Sequence, residues 1–596
     1  MRRSFSAVLA FAGAAMLAPF ASRPASAQTT IPPDRYTKAE LSSFRSTPTY
    51  EEALEFIDRL KKSSAFLETF EFGTSAQGRK MVAVVVSKEK AFTPDAAHAA
   101  KKPVVLVINS IHAGEVDGTD ASLILLRDVA LGNANEVLDA VTLLVVPVYN
   151  VDGHARFGKY NRPNQDGPAE GMGFRTNAAG LDLNRDFMKA DALETRALLS
   201  LVNAWNPDLF VDDHVTDGAD FQLTLTVLYR NEPASAPALS EWLSRVVPAA
   251  LRDVEEAGWK TGPYVDFVDN LDPLKGIDTG PTTPRYSTGY FPSRNIPSIL
   301  VETHAIKPYD ARVRANLEFL RALFVGTGRE AASLKAAREK AASDARSAAA
   351  GSPFIAASET DMSRPEPFEM ATYAFENAVS DSTGKPTVRY DRRQPITARV
   401  PVYTHVKPTV TVPRPAGYIV PAGWPDVKER LLAHGIPFAT LDKTRSLDVG
   451  TYRASNPVYA KTPYQGRMRV EAKIARGVET RSVPAGSLYV PLDTPLAPVA
   501  MHLLEPESPD SLFAWGFFSS IFEMKEYIDA RVLDPLVRAM LSKDPKLAAE
   551  WKAKLADPAF AADSTARYRY WYSKTPYWDE TLGLVPVYRL EKPLAK

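Results

Sequence analysis

Between about residue 50 and residue 330 the chain alternates apolar, β-branched runs with stretches whose apolar residues recur at helical spacing. That alternation is the signature of an α/β domain. The runs predict strands over Met81–Val86, Val104–Asn109, Val141–Val148, Leu209–Asp213, Leu223–Tyr229 and Ser298–Val301. Helical spacing predicts helices over Thr119–Ala130, Ala192–Ala204, Pro237–Ala257 and Asp310–Leu323, the third with its proline in the first turn, where one is tolerated. A long Gly- and Asn-rich connection, Asp152 to Leu183, has few periodic apolar positions, and long loops in compact domains are often functional.

Three of the strands end on residues of metal-ligand type. Val104–Asn109 runs into Ser110-Ile-His112-Ala-Gly-Glu115, Leu209 into His214, and Ser298 into Glu302. Alone, His-x-x-Glu is a weak motif, as readily a surface turn as a site. Active sites of open α/β sheets gather at the carboxyl ends of strands, however, so three such endings form a coherent pattern. Imidazole nitrogen and carboxylate oxygen both suit a borderline ion such as Zn²⁺, and a catalytic site needs only three protein ligands. The chain has no cysteine, so any metal must be held by histidine and carboxylate, and disulfides and thiol nucleophiles are excluded.

At 596 residues and 45% hydrophobic content the chain is long enough for two or more domains. Lys plus Arg and Asp plus Glu both total 71, and this balance points neither to a nucleic-acid surface nor to an acidic polymer. The N-terminus reads as a signal peptide over residues 1–27: basic Arg2-Arg3, an apolar run from Phe5 to Phe20, and Ala25-Ser26-Ala27 as the cleavage site. The expected destination is the periplasm or the exterior, with no membrane span in the mature chain. A catalytic domain is expected over residues 28–335, a charged helical linker over 336–352 ending at Gly351-Ser-Pro353, and a mostly β or α+β domain of unassigned role over 353–596. In that last part, strands are predicted at Ile396–Val400, Thr409–Val412 and Tyr418–Val420 and a helix near Asp426–His434. Its aromatic tail, Trp571 to Val587, is read as a packing segment.

The long loop carries Phe174-Arg175 and then Asp182-Leu-Asn184-Arg185. An arginine fork matches a carboxylate bidentately or polarises a carbonyl. Taken in order, His-x-x-Glu, the loop Arg175, Asn184-Arg185, the strand-end His214 and the strand-end Glu302 resemble the pattern of the zinc metallocarboxypeptidase family over roughly residues 50–330.

The resemblance implies a mixed central sheet flanked by helices and a Zn²⁺ cofactor bound by His112, Glu115 and His214. It implies Glu302 as general base, Arg175 as stabiliser of the developing oxyanion, and Asn184 and Arg185 as the grip on the terminal carboxylate of a peptide substrate. Asp182 matches a carboxylate that orients the first metal histidine. For the tyrosine that closes over substrate, Tyr286 and Tyr290 are both candidates, and spacing favours Tyr286. His304, two residues after Glu302, reads as a supporting or structural group; His154 belongs to a turn, and His98, His405, His434 and His502 have no partner spacing. The activity implied is release of C-terminal residues. The alternatives on the same metal centre are an amidase or deacylase and a cell-wall stem-peptide hydrolase; a different class of alternative is an inert peptide-binding module.

Overall fold

The computed structural model describes residues 31–230 and 233–595, so the export segment predicted for residues 1–27 lies outside the described residues. The strands before residue 330 are β1 (Leu67–Thr74), β2 (Lys80–Val86), β3 (Val104–Asn109), β4 (Thr142–Val146), β5 (Leu209–Val215), β6 (Leu225–Leu228), β7 (Thr261–Pro263), β8 (Ile277–Asp278) and β9 (Ser298–Thr303). All but β8 form one eight-stranded sheet in the order β1-β2-β4-β3-β5-β9-β6-β7. Strands β4, β3, β5 and β9 run parallel, while β2 and β6 pair antiparallel on either side, making the sheet mixed.

The central strands are apolar throughout because both faces are covered. Val105, Val107, Leu209, Val211, Ile299 and Val301 pack into one core with helices Tyr50–Lys61, Asp117–Ala130, Pro237–Glu256, Tyr309–Arg329 and Ala331–Ser347. The alternate residues Val104, Leu106, Ile108 and Phe210 enter a second core on the opposite face, with helix Leu193–Trp205 and with Phe291. That second core is completed by residues from far along the chain, among them Tyr418, Val420, Leu431, Tyr452 and Leu503. The C-terminal part therefore covers one face of the central sheet.

This part is built from β10 (Pro353–Thr360), β11 (Glu366–Val379), β12 (Pro386–Tyr403), β13 (Val406–Pro413), β14 (Gly417–Val420), β15 (Ala439–Thr440), β16 (Arg445–Tyr459), β17 (Val470–Val483), β18 (Leu488–Pro491) and β19 (Tyr588–Leu590). β10 pairs with β13, and six strands form a second sheet, β15-β18-β14-β19-β16-β17. β11 and β12 form a long hairpin whose last residues extend β8 in parallel, Val402 opposite Ile277 and Tyr403 opposite Asp278.

Between residues 530 and 572 the chain is helical, which the β-type runs elsewhere in this region do not announce. Helices Ala530–Lys543, Pro545–Leu555, Pro558–Ala562 and Ser564–Tyr572 open on Asp529, Asp544, Asp557 and Asp563, whose carboxylates accept from backbone N–H groups of the first turn. In the aromatic tail Trp571, Tyr572 and Val587 are buried. No helix of the described residues is long and apolar enough to cross a membrane.

Candidate metal centre and substrate cleft

Parallel pairing brings the strand ends together. β3 and β5 are adjacent, with Asn109 opposite Asp213, and β5 and β9 pair with His214 directly opposite Glu302. Beyond β3 the chain turns tightly, Glu115 N donating to His112 O (2.8 Å). Gly114 is required in that turn, because a Cβ there would lie 2.5 Å from Gly173 O and 2.6 Å from Arg162 Cγ.

His112 Nδ1 stands 3.0 and 3.1 Å from the two Glu115 oxygens, and His214 Nδ1 stands 2.9 Å from Glu115 Oε2. The ligand atoms of the three residues lie within 4.8 Å of one another, all buried, and no other such group occurs among the described residues. Each imidazole has a carboxylate at its far nitrogen: Asp182 Oδ1 at 3.1 Å from His112 Nε2, and Asp212 Oδ2 at 3.0 Å from His214 Nε2. With those carboxylates accepting the Nε2–H, both Nδ1 lone pairs would aim at one point, a donor set that suits a catalytic Zn²⁺ ion.

Electrostatics keep the carboxylates of Glu115 and Asp182 ionised. Burial opposes charge on Glu115, but His112 and Arg162 hold its carboxylate well below the usual range, and Arg162 Nη2 donates to Glu115 Oε1 (2.7 Å). Burial likewise opposes charge on Asp182, and His112, Arg175 and Arg185 overcome it. Glu302 behaves oppositely: burial pushes its carboxyl up to about 8, His214 works against the rise, and Glu115 and Asp212 add to it. Its Oε2 is buried without a hydrogen-bond partner.

Arg175 grips Asp182 Oδ2 through Nε (3.2 Å) and Nη2 (2.8 Å), its Nη1 3.8 Å from Glu115 Oε1. Arg185 donates from Nη1 to Asn184 O (2.9 Å), and its guanidinium lies 4.4 Å from the Tyr286 ring centroid. Ser287 N donates to Asn184 Oδ1 (2.9 Å). His112, Glu115, His214, Glu302, Arg175, Asn184, Arg185 and Tyr286 all line one cleft of about 780 Å³.

The profile of the zinc carboxypeptidase family matches residues 53–197, which include the His112-x-x-Glu115 turn, Asp182 and Asn184-Arg185. The chain carries a zinc carboxypeptidase domain over these residues. It is a metallocarboxypeptidase, a hydrolase. Carboxypeptidase 2 of Trichophyton rubrum is 23% identical to it over 487 residues, 79% of this chain and 84% of that one. The probable carboxypeptidase 2 of Arthroderma benhamiae is 22% identical over 483 residues, 78% and 85% of the two chains. Among solved structures, a metallo-carboxypeptidase from Burkholderia cenocepacia aligns at 19% identity with a TM-score of 0.35, covering 47% of this chain and 69% of that one.

Within this metallocarboxypeptidase the two tyrosine candidates part ways. Tyr286 lines the cleft, whereas Tyr290 is fully buried and donates its hydroxyl to His434 Nδ1 (2.7 Å), while His434 Nε2 donates to Met188 O (3.0 Å). Tyr290 and His434 thus tie the two halves of the second core together. His304 is also buried; its Nε2 accepts from Phe221 N (3.3 Å), fixing the loop after β5. His154 and His502 are buried, His405 lies 3.3 Å from Glu366, and His98 is exposed; none of them joins the group formed by His112, Glu115 and His214.

Four residues escaped the sequence reading. Asp212 sits two positions before His214 on the same strand face, a spacing that could have revealed it. Arg162 is a single arginine in a polar loop, and Tyr264, which lines the cleft, has no flanking motif. Gln465 lies at the tip between β16 and β17, in a turn where it and Gly466 both take positive φ (51° and 78°), and its Oε1 accepts from Asp182 N (2.8 Å). The backbone beneath Asp182 is therefore held by a residue 283 positions away.

Proposed function

We propose that the chain is a zinc-dependent exopeptidase that hydrolyses the C-terminal peptide bond of peptide substrates, outside the cytoplasm after removal of residues 1–27. The supporting observation is the shared cleft: three convergent ligand atoms, an unpartnered carboxyl on the neighbouring strand, and two arginines.

His112, Glu115 and His214 would hold the zinc, which when bound supplies a Lewis acid and lowers the pKa of water to about 7. Glu302, opposite His214 in the sheet, takes the proton of the attacking water and delivers it to the departing amine. Its Oε2, which no protein group engages, is free to make both transfers. Asp182 and Asp212 hold the two imidazoles in the tautomer that leaves Nδ1 free. Arg175, anchored through two nitrogens and partly exposed to the cleft, faces the charge that develops on the scissile carbonyl oxygen. Arg185 and Asn184 take the substrate's terminal carboxylate, with Tyr286 across the Arg185 guanidinium. Export is supported by the basic, apolar and small-residue order of residues 1–27.

Arg185→Ala tests the exopeptidase assignment. Hydrolysis of peptides with a free C-terminus is expected to fall far more than that of the same peptides amidated at the C-terminus. Equal losses on both would sink it.

A further inference from the structure

One wall of the cleft comes from outside the sheet that carries the metal ligands. Thr387, Val388 and Tyr390, on the β11–β12 hairpin, line the same cavity as His112 and Glu302.

The hairpin is rooted firmly. Met370, Val400 and Val402 share a small core with Phe221, Leu223, Phe267 and Ile277. Gln222 donates from its backbone N to Ala371 O (2.9 Å) and from its amide to Thr372 O (2.5 Å) and Ile396 O (3.2 Å). Arg392 Nε donates to Asp220 Oδ2 (2.5 Å). At this point the ladder breaks: Tyr373 pairs with Pro395 but Ala374 with Asp391, so Arg392, Arg393 and Gln394 are left over on β12. A bulge of this kind bends the strand and re-aims the residues beyond it.

Past the bulge an arm of two strands, Ala374–Val379 and Pro386–Asp391, continues to an exposed tip at residues 381–385. Thr387, Val388 and Tyr390 of this arm line the cleft while its tip stands in solvent, so the arm runs from the cleft out to its mouth. Tyr390, packed near Phe375 (ring centroids 6.2 Å), has its phenol pushed up to about 12 by burial and Asp220, and it presents a neutral hydroxyl and a flat apolar face. Val388, two residues earlier, lies on the same strand face.

We propose that this arm is the wall along which the substrate residues upstream of the scissile bond must lie, and that it restricts the enzyme to short peptides and flexible C-terminal tails. The proposal rests on the exopeptidase reading: with the terminal carboxylate at Arg185, only the residues preceding it extend toward the mouth. Val388 and Tyr390 set the width of that passage. A C-terminus held close against a folded body has no room to pass the arm, whereas an extended peptide gains an apolar and aromatic surface to lie on.

Three substrates sharing one C-terminal dipeptide test this: the N-acylated dipeptide, an N-acylated hexapeptide, and a folded protein whose final helical turn ends in that dipeptide. The variants, in the full chain, are Tyr390→Ala, Val388→Asp and an arm shortened by replacing residues 376–389 with an Asn-Gly turn between the paired Phe375 and Tyr390. Tyr390→Ala and Val388→Asp are expected to lower kcat/KM for the hexapeptide relative to the acyl-dipeptide by about tenfold each, mainly through KM, the scale of one lost contact. The shortened arm is expected to raise the folded protein relative to the acyl-dipeptide by about tenfold or more. Unchanged ratios in the point variants overturn the proposal whatever the shortened chain does. If the unaltered protein cleaves none of the three, the exopeptidase reading falls and this proposal with it.

Discussion

Asp182 connects the metal centre to the rest of the molecule, and its removal should be read in zinc affinity before it is read in rate. Its carboxylate carries four contacts: Oδ1 faces His112 Nε2 (3.1 Å) and accepts from Asn184 N (2.9 Å), and Oδ2 accepts from Arg175 Nε and Nη2. Asp182→Asn keeps an oxygen for His112 and Asn184 but turns an NH₂ toward the Arg175 guanidinium and deletes the charge that favours His112 as a ligand. Asp182→Ala deletes both. Loss of a carboxylate behind a metal histidine weakens binding by roughly 10- to 100-fold, or about 1.4 to 2.7 kcal/mol. The Asn variant belongs near the lower figure because its geometry survives, the Ala variant near the upper. Arg175 adds little to either loss, since its side chain is 35% exposed and water can replace the pair. Competition against a chromogenic chelator measures the dissociation constants directly. If the Ala variant binds zinc within about twofold of the unaltered protein, the carboxylate does not set the His112 tautomer and the reasoning fails.

Glu302→Gln should retain zinc, because the ligand set is complete without it, and lose turnover by about 10²- to 10⁴-fold; loss of metal together with activity would make Glu302 a ligand instead. Gln465→Ala should lower kcat with little change in KM, and Gln465→Glu, which keeps an acceptor for Asp182 N, should recover most of the loss; equal damage from both would mean the turn matters only for folding. His434 gives a pH test. Burial lowers its pKa from 6.5 to about 3, so the unfolded chain binds the extra proton, and its contribution to stability is full above pH 6.5 and drains away as pH falls toward 3. The stability difference between the unaltered protein and His434→Gln, from urea unfolding, should narrow by roughly 2 kcal/mol between pH 7 and pH 5, and a constant difference would refute the assignment of a buried neutral imidazole.

The readability of this chain divides along a physical line. Strands β3, β5 and β9 are buried on both faces, so their apolar runs are long and bounded, and the ligand residues at their ends stand out because a charged residue closing such a run has no packing reason to be there. β1 is an edge strand carrying Glu68 and Glu71 among Phe70 and Phe72, and its polarity hides it, as edge strands must be polar to avoid pairing with other chains. The β11–β12 and β16–β17 hairpins stand partly clear of the body, so neither face imposes alternation over their length.

The same line separates the residues proposed to perform the chemistry from those that support and enclose them. His112, Glu115, His214 and Glu302 are encoded by local pattern. Gln465, Tyr390 and His434 reach the catalytic half only because the C-terminal part docks on the second face of the sheet. Docking depends on surfaces that complement each other at large sequence separation, and no window of sequence contains both sides. Asp191 shows how such a junction is held. It lies shortly after Asn184-Arg185, and it accepts from Arg467 through two bonds of 2.7 Å and from Arg430 through another of 2.7 Å. Burial raises its pKa, but the two arginines and Lys189 overcome that and hold the carboxyl down at about 2. Arg467 is also the closing residue of the turn that presents Gln465. One carboxylate thus fixes the turn, the turn fixes the backbone of Asp182, and Asp182 holds His112. The C-terminal part is in this sense a component of the candidate metal centre, although it supplies none of the three candidate ligand atoms.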